Sequence, residues 1–118
     1  MRNSAFEPIT DKTVYRIMSI LEKEFASAPS PYQMSERLNM SYSNMSRILS
    51  LRLGTSYNAL VNSVRIEHAK KLLVLTDGSI TDICFDCGFQ SSSYFIKTFK
   101  NKEGITPLKY REKLREHR

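Results

Sequence analysis

The sequence is poor in the features that mark exported, disulfide-bonded and membrane proteins. Its 118 residues include no Trp, two Cys, four Gly and four Pro. No apolar run approaches the roughly 18 residues that a membrane span requires, and residues 1–10 lack the apolar segment of a secretory signal. Two cysteines without an export signal are typical of a reducing compartment. We therefore expect a cytoplasmic protein that makes no contact with a membrane.

Residue combinations for catalysis or metal binding are also scarce. A nucleophile–base–acid triad needs a histidine in a shaped pocket, and the chain has two histidines, His68 and His117. It has no Gly-rich phosphate loop. A structural zinc needs about four ligands, so Cys84 and Cys87 would require both histidines, one of them near the C-terminus. The sequence therefore predicts no enzymatic activity, no bound metal and no cofactor.

Positive charge is what the chain has in excess. It carries 18 Lys and Arg against 12 Asp and Glu, which gives a net charge of +6 and a pI of about 9.5. Residues 91–118 hold eight Lys or Arg against three Glu, so most of the excess lies there. A basic domain with a basic end is typical of a protein that binds a polyanion. A solvated C-terminal helix that only aids solubility would give the same pattern.

Apolar spacing predicts an all-α fold, a bundle-like domain of seven helices. No alternating strand pattern extends beyond a few residues. The first helix is expected to start near Thr10 or Asp11. The others are expected to start after a hydroxyl residue that can cap a helix N-terminus, namely Ser30, Ser41, Ser56, Ser79, Ser91 and Thr106. The core side of the third helix is expected to include Met45 and Leu53, and Met40 is also assigned to the core.

An internal repeat divides the chain into two similar halves. At an offset of 49 the matching pairs are Met34/Ile83, Leu38/Cys87 and Met40/Phe89, and at an offset of 50 they are Arg47/Lys97, Leu49/Phe99 and Gly54/Gly104. The change of offset indicates one residue inserted at the second turn. We therefore predict an N-terminal extension at 1–10, a first subdomain at 11–56, a linker helix at 57–75, and a second subdomain with a basic C-terminal helix at 76–118.

Each half has the pattern of a helix-turn-helix: a short helix, a tight turn and a second helix with a polar outer face. The second helix of such a unit enters the DNA major groove, and its N-terminal half reads base edges. The candidate DNA-contacting residues are Ser43, Asn44, Ser46 and Arg47 in the first half, and Ser92, Ser93, Ile96, Lys97 and Lys100 in the second. Small polar groups beside a cation suit hydrogen bonds to bases and phosphates. One such face is more often merely solvated, but two in register favour DNA binding.

The segment SITDICFDCGFQSSSYFIKTFKNKEGITPLKYR, residues 79–111, resembles the C-terminal signature of the AraC/XylS transcriptional regulators. The first half resembles the same family's first helix-turn-helix, with matches at Leu38, Met40-Ser41, Met45-Ser46-Arg47, Leu53-Gly54 and RIEHAKKLL, residues 65–73. Together the matches span about residues 12–114. The resemblance implies two helix-turn-helix units held by a linker helix, with both recognition helices inserted into successive major-groove segments of double-stranded DNA.

The resemblance also implies a role and partners. It implies sequence-specific regulation of bacterial transcription, more often activation than repression, through contact with RNA polymerase near promoters. We expect the domain by itself to be a monomer. In this sequence Ser43, Ser92 and Ser93 stand where large reading side chains are frequent in the family, and Lys97 stands where Arg is frequent. Much of the base readout is therefore expected to fall on other candidate residues, namely Asn44, Arg47 and Ile96.

The C-x-x-C formed by Cys84 and Cys87 has an architectural interpretation under this resemblance. Cys84 occupies a position where the family usually has a small residue packed inside a short helix, and Cys87 precedes Gly88 at another partly buried position. Free cysteine most often behaves as a small buried hydrophobe. A thiol or zinc sensor, or a helical protein-interaction module that does not read DNA sequence, is the alternative. Arg111 is expected either to cap a helix or to contact a phosphate.

Overall fold

The computed structural model describes residues 7–116, with side chains from Lys12 onward. Over that range the chain forms seven α-helices and no strand, which confirms the predicted all-α class. The helices are α1 (Glu7–Glu24), α2 (Pro31–Arg37), α3 (Tyr42–Leu53), α4 (Tyr57–Leu75), α5 (Ile80–Asp86), α6 (Ser92–Glu103) and α7 (Pro107–Glu116), and a 3-10 turn (Phe25–Ser27) follows α1.

The first helix begins earlier than the sequence analysis predicted. It starts at Glu7 rather than near Thr10 or Asp11, with Pro8 in its first turn. Proline is well placed there, because the first N–H groups of a helix have no partner within the helix. The remainder of the predicted N-terminal extension, residues 1–6, lies outside the described residues, as does His117.

Two compact units make up the chain, Met1–Val61 and Asn62–Arg118, and the division falls within α4. In the first unit α3 packs against both α1 and α2. Ile17, Leu21 and Met45 are fully buried there. The hydroxyl of Tyr57 donates a 2.7 Å hydrogen bond to the carbonyl of Pro29, which ties the start of α4 to the segment before α2.

A chain of aromatic rings forms part of the core of the second unit. Helix α6 packs against α5 and α7. Ring centroids lie 5.0 Å apart for Phe89 and Phe95, 5.9 Å for Phe95 and Phe99, and 5.5 Å for Phe99 and Tyr110. Tilted and edge-on contacts at these separations stabilise a core beyond the area they bury. Aliphatic side chains of α4 and α5 are also buried in this unit.

All six predicted capping hydroxyls accept a hydrogen bond from the backbone N–H three residues later. The acceptors are Ser30, Ser41, Ser56, Ser79, Ser91 and Thr106. Ser30 completes a full capping box, because the Gln33 side chain accepts from the Ser30 N–H at 2.9 Å. These hydrogen bonds confirm the predicted helix starts. The starts could be predicted from sequence because capping is a local interaction.

The internal repeat is also a repeat of backbone conformation. The two turns contain residues with positive φ, Asn39 at 56° and Gly88 at 100°. In each turn a backbone N–H reaches back five residues, from Met40 to the carbonyl of Ser35 and from Phe89 to the carbonyl of Cys84, both at 3.1 Å. The residue inserted in the second turn is Gln90, since Phe89 matches Met40 and Ser91 matches Ser41.

Two of the expected core positions are not buried. Leu53 is 44% exposed, and Met40 is only partly buried. Leu53 lies in the last turn of α3. Met40 lies in the loop that connects α2 to α3. Apolar spacing identifies the face of a helix that can pack, but the neighbouring elements determine how far along the helix that face is covered.

Candidate nucleic-acid interface

The outer face of α3 carries the four candidate residues of the first unit. Ser43 and Arg47 are exposed, and Asn44 and Ser46 are partly exposed. Arg47 donates from Nη2 to Oδ1 of Asn44 at 2.6 Å, across one turn of the helix. The structure therefore brings Asn44 and Arg47 into a single polar pair, which presents amide and guanidinium donors side by side.

The corresponding face of α6 carries the candidates of the second unit. Ser93, Ile96, Lys97 and Lys100 are exposed, and Ser92 is partly exposed. The Ser93 hydroxyl lies 3.2 Å from that of Ser91, the capping residue. Within residues 12–116, neither Lys97 nor Lys100 has an ion-pair partner. Both ammonium groups are therefore available to an external anion.

Tyr94 is a further outward-facing residue of α6, which the sequence analysis did not include among the candidates. It is 51% exposed, and its hydroxyl accepts a 2.9 Å hydrogen bond from Nδ2 of Asn62 on α4. Its ring lies against that of Phe89, with centroids 6.2 Å apart. The repeat contained the signal, because Tyr94 is the equivalent of Asn44 at the offset of 50.

Part of the C-terminal positive charge is used within the second unit. Arg111 donates from Nε to the carbonyl of Leu73 at 2.8 Å and from Nη2 to that of Thr76 at 3.2 Å. Arg115 donates to the same Thr76 carbonyl and pairs with Asp77 at 3.1 Å. Of the two expectations for Arg111, helix capping is the one found here. The sequence thus overstates the charge that these two arginines offer to a polyanion.

Lys70 is likewise engaged within the second unit. Its ammonium group lies 3.2 Å from carboxylate oxygens of both Glu67 and Glu103, and 5.9 Å from the ring centre of Tyr110. Partial burial opposes the charged form, but the hydrogen bonds that the ammonium group donates to the two carboxylates prevail and raise the pKa of Lys70. This lysine links α4 to α6 and α7 and is not a candidate for DNA contact.

Both cysteines are fully buried, in agreement with the architectural interpretation of the C-x-x-C. Burial raises the pKa of the Cys84 thiol. Burial, with smaller contributions from Asp86 and Cys84, raises the pKa of the Cys87 thiol to about 11, while Arg65 opposes the shift. Since the thiolate is the reactive and metal-binding form, both groups are poorly suited to either chemistry near neutral pH.

The described part of the chain has neither a metal-binding cluster nor a membrane-spanning helix. Residues 12–116 contain no group of three or more His, Cys, Asp or Glu placed to hold a metal ion. None of the helices α1–α7 is long and apolar enough to span a membrane.

Comparison with known proteins identifies relatives in sequence and in structure. Residues 34–113 match the family described as Helix-turn-helix domain. An uncharacterized HTH-type transcriptional regulator of Staphylococcus aureus (strain COL) is 36% identical over 103 residues, which cover 87% of this chain and 14% of that protein. The chain therefore spans about one seventh of the length of this relative.

Solved structures give the same fold. A transcriptional regulator from Chromobacterium violaceum, described as AraC-type DNA-binding domain-containing, superposes with a TM-score of 0.83 at 26% identity and covers 93% of this chain and 95% of that one. The DNA-binding domain of AdpA, a global transcriptional factor solved in complex with a target DNA, superposes with a TM-score of 0.83 and covers 90% of this chain and 96% of that one. At 21% identity, that second likeness concerns the fold alone.

The matched family and fold are those of DNA-binding domains of transcription regulators and not of enzymes. Two capped helix-turn-helix units, repeated in backbone conformation as well as in sequence, account for the match. This chain belongs to the helix-turn-helix family of AraC type, whose members are DNA-binding transcription regulators.

Proposed function

We propose that this chain binds double-stranded DNA in a sequence-specific manner and regulates bacterial transcription, with α3 and α6 as its two recognition helices. The main support is the matched placement of Arg47 and Lys97. They are equivalent in the repeat, both are exposed, and both lie on the second turn of a helix capped by a serine. A solvated surface without a function would not require a cation at the same position of both units.

The side chains of the two faces suggest different roles. Arg47 can donate to guanine or to a phosphate, and Asn44 can read adenine through its amide. Ile96, which is 37% exposed, suits contact with a thymine methyl group. Ser43, Ser46, Ser92 and Ser93 are assigned to short hydrogen bonds at bases or phosphates, and Lys97 and Lys100 to phosphates.

The wider setting follows from family membership and is proposed with it. We assign 11–56 and 76–118 as the two helix-turn-helix subdomains and 57–75 as the helix that joins them, so that each unit enters one of two successive major-groove segments. We assign activation, through contact with RNA polymerase at promoters, as the outcome of binding. The domain acts as a monomer in the cytoplasm, on the nucleoid.

In vitro selection from random duplexes of about 25 base pairs tests sequence-specific reading, because two half-sites one helical turn apart fit within that length. Two enriched boxes one turn apart are the expected result. A single box would mean that only one unit reads bases. If a folded sample enriches no sequence, the proposal of sequence-specific binding is wrong, and the thiol-sensing or protein-interaction alternative gains support.

Charge variants test which faces bind. Arg47→Ala and Lys97→Ala should each weaken DNA binding. If the cation neutralises a phosphate, the slope of log K against log salt concentration should also become shallower by about one unit. Lys12→Ala on α1 and Lys71→Ala on α4 are matched controls, since both lysines are exposed and each substitution removes one charge. Equal losses in all four variants would show non-specific attraction rather than binding through α3 and α6.

A further inference from the structure

Two exposed tyrosines form a ring pair at the corner between α2 and α3. Tyr32 is the second residue of α2, and Tyr42 is the first residue of α3. Their ring centroids lie 5.0 Å apart with a tilt of 38°. Tyr32 is 70% exposed and Tyr42 is 41% exposed, so most of this pair faces solvent rather than the core.

Local hydrogen bonds and an ion pair hold α2, which carries Tyr32, in place. Helix α2 starts with Pro31 and a complete capping box. Arg37 at its other end forms a bidentate ion pair with Glu24 of α1, with both N–O distances at 2.8 Å. The carbonyl of Tyr32 accepts a 2.9 Å hydrogen bond from the buried Ser35 hydroxyl. The rings are thus positioned from two helices whose own placement is fixed.

The hydroxyl groups of this tyrosine pair are free to bind a partner outside the described part of the chain. The Tyr32 and Tyr42 hydroxyls have no hydrogen-bond partner among residues 12–116. This contrasts with Tyr57, whose hydroxyl donates to Pro29, and Tyr94, whose hydroxyl accepts from Asn62. Each free phenol can donate to an anionic oxygen without bringing a charge of its own.

The position of the pair indicates which anion it meets. In a helix-turn-helix the first helix crosses the DNA backbone while the second enters the major groove. Tyr32 lies at the start of the first helix, and Tyr42 immediately precedes Ser43 on the proposed reading face. Phosphate oxygens beside the groove accept hydrogen bonds from tyrosine hydroxyls in protein–DNA complexes.

We infer that Tyr32 and Tyr42 form a neutral clamp on the DNA backbone, with their hydroxyls donating to phosphate oxygens that flank the groove entered by α3. This inference rests on the proposed DNA binding. The second unit has no such clamp, because the repeat places Thr81 and Ser92 at the equivalent positions. The first unit should therefore hold the backbone through contacts that its counterpart lacks.

Substitution by phenylalanine tests the hydroxyls while preserving the ring pair. The variants are Tyr32→Phe, Tyr42→Phe and the double variant, and Tyr15→Phe on α1 is the matched control, since Tyr15 is 73% exposed. Two probes are used with the full chain: a duplex recovered by selection and a random-sequence duplex of equal length. Thermal unfolding followed by circular dichroism verifies that each variant is folded.

The expected result is a roughly 3- to 30-fold loss of affinity in the double variant, of similar size on both probes, because phosphate contacts carry no sequence information. The slope of log K against log salt should stay that of the wild type, since a neutral donor releases no counterion. The control should bind as the wild type does. Charge-neutral methylphosphonate at the contacted phosphate should weaken the wild type more than it weakens the double variant, because only the wild type also loses the tyrosine hydrogen bonds.

Three outcomes would overturn the clamp. Unchanged affinity in the double variant, with wild-type DNA binding intact, would leave the ring pair a structural contact of the α2–α3 corner. A loss confined to the selected duplex would make the tyrosines base readers rather than backbone contacts. Failure of the wild type itself to bind either duplex would refute the proposed DNA binding, and the clamp with it.

Discussion

The Nε atom of Arg111 on α7 lies 2.8 Å from the carbonyl oxygen of Leu73 on α4, thirty-eight residues earlier in the chain. The last carbonyls of a helix have no partner within it, and α4 ends two residues after Leu73. A cation at this end also interacts favourably with the helix dipole. The basic residue therefore stabilises the junction of two helices in the second unit.

Replacing Arg111 should lower stability. Arg111→Ala removes donors to two backbone carbonyls, so we expect the free energy of unfolding in urea to fall by about 1–3 kcal/mol. Arg111→Lys should recover little of this loss, because lysine has no planar fork that could reach both carbonyls. Lys113→Ala, at an exposed position of the same helix, is the control. Equal stability of Arg111→Ala and Lys113→Ala would show that the cap contributes nothing.

Gly54 and Gly104, the glycines that end α3 and α6, should not tolerate alanine, and the reason is their backbone conformation alone. Gly54 and Gly104 have φ of 63° and 86°, and a Cβ at either position would meet no atom within 4 Å. Alanine should therefore cost about 1–2 kcal/mol from its unfavourable left-handed conformation, without any clash.

Gly78→Ala is the matched control for the glycine variants. Its φ lies outside the left-handed range, and a Cβ there would make an ordinary contact with Cγ1 of Ile83 at 3.5 Å. The Gly78→Ala substitution should leave stability unchanged or raise it slightly, because alanine reduces the conformational freedom of the unfolded chain. Chemical denaturation of the three variants measures this, and a loss at Gly78 equal to those at Gly54 and Gly104 would contradict the backbone explanation.

Asn44 should affect sequence discrimination more than general affinity. In the free protein its Oδ1 accepts from Arg47, and its amide nitrogen can still donate to a base. Under the proposed function, Asn44→Ala should weaken binding to the selected duplex by roughly 1–3 kcal/mol and change binding to random DNA much less. Competition titrations with both duplexes measure the ratio. Proportional losses on both would mean that Asn44 serves only to position Arg47 or contacts phosphate.

Cys87 should make folding stability fall at alkaline pH. Its native pKa of about 11 lies above the value near 8.5 of an unfolded thiol, so the native state holds its proton more tightly. The resulting stability is fully present below pH 8.5 and is lost as pH rises towards 11. Cys87→Ala, which creates a small cavity, should be less stable than the wild type at pH 7, and the difference should narrow as pH rises.

Urea unfolding of the wild type and Cys87→Ala between neutral and alkaline pH measures that narrowing. A gap that stays constant would mean that the native thiol titrates like the unfolded one. DNA binding by Cys84→Ala and Cys87→Ala provides a second comparison. If the folded variants lost binding while Arg47→Ala and Lys97→Ala kept it, the thiol-sensing alternative would be favoured over the proposed function.

Local sequence was sufficient for the starts of α2 to α7 and for the repeat. Each cap depends on a hydroxyl and a backbone N–H three residues later, and each turn depends on a residue that tolerates positive φ, so neighbouring residues alone determine them. The start of α1 was placed too late, although Pro8 is a favourable residue for the first turn of a helix. The packed positions expected for both cysteines followed from the family resemblance, and both are fully buried.

Tertiary structure alone decided which of the exposed polar groups are already engaged. No local pattern shows that Arg111 caps α4, that Asn62 donates to Tyr94, or that Tyr32 and Tyr42 pair across a turn. These contacts join residues on different helices, and they depend on how the helices pack. The sequence by itself determined two basic helix-turn-helix units, whereas packing determined which of their side chains remain available to DNA.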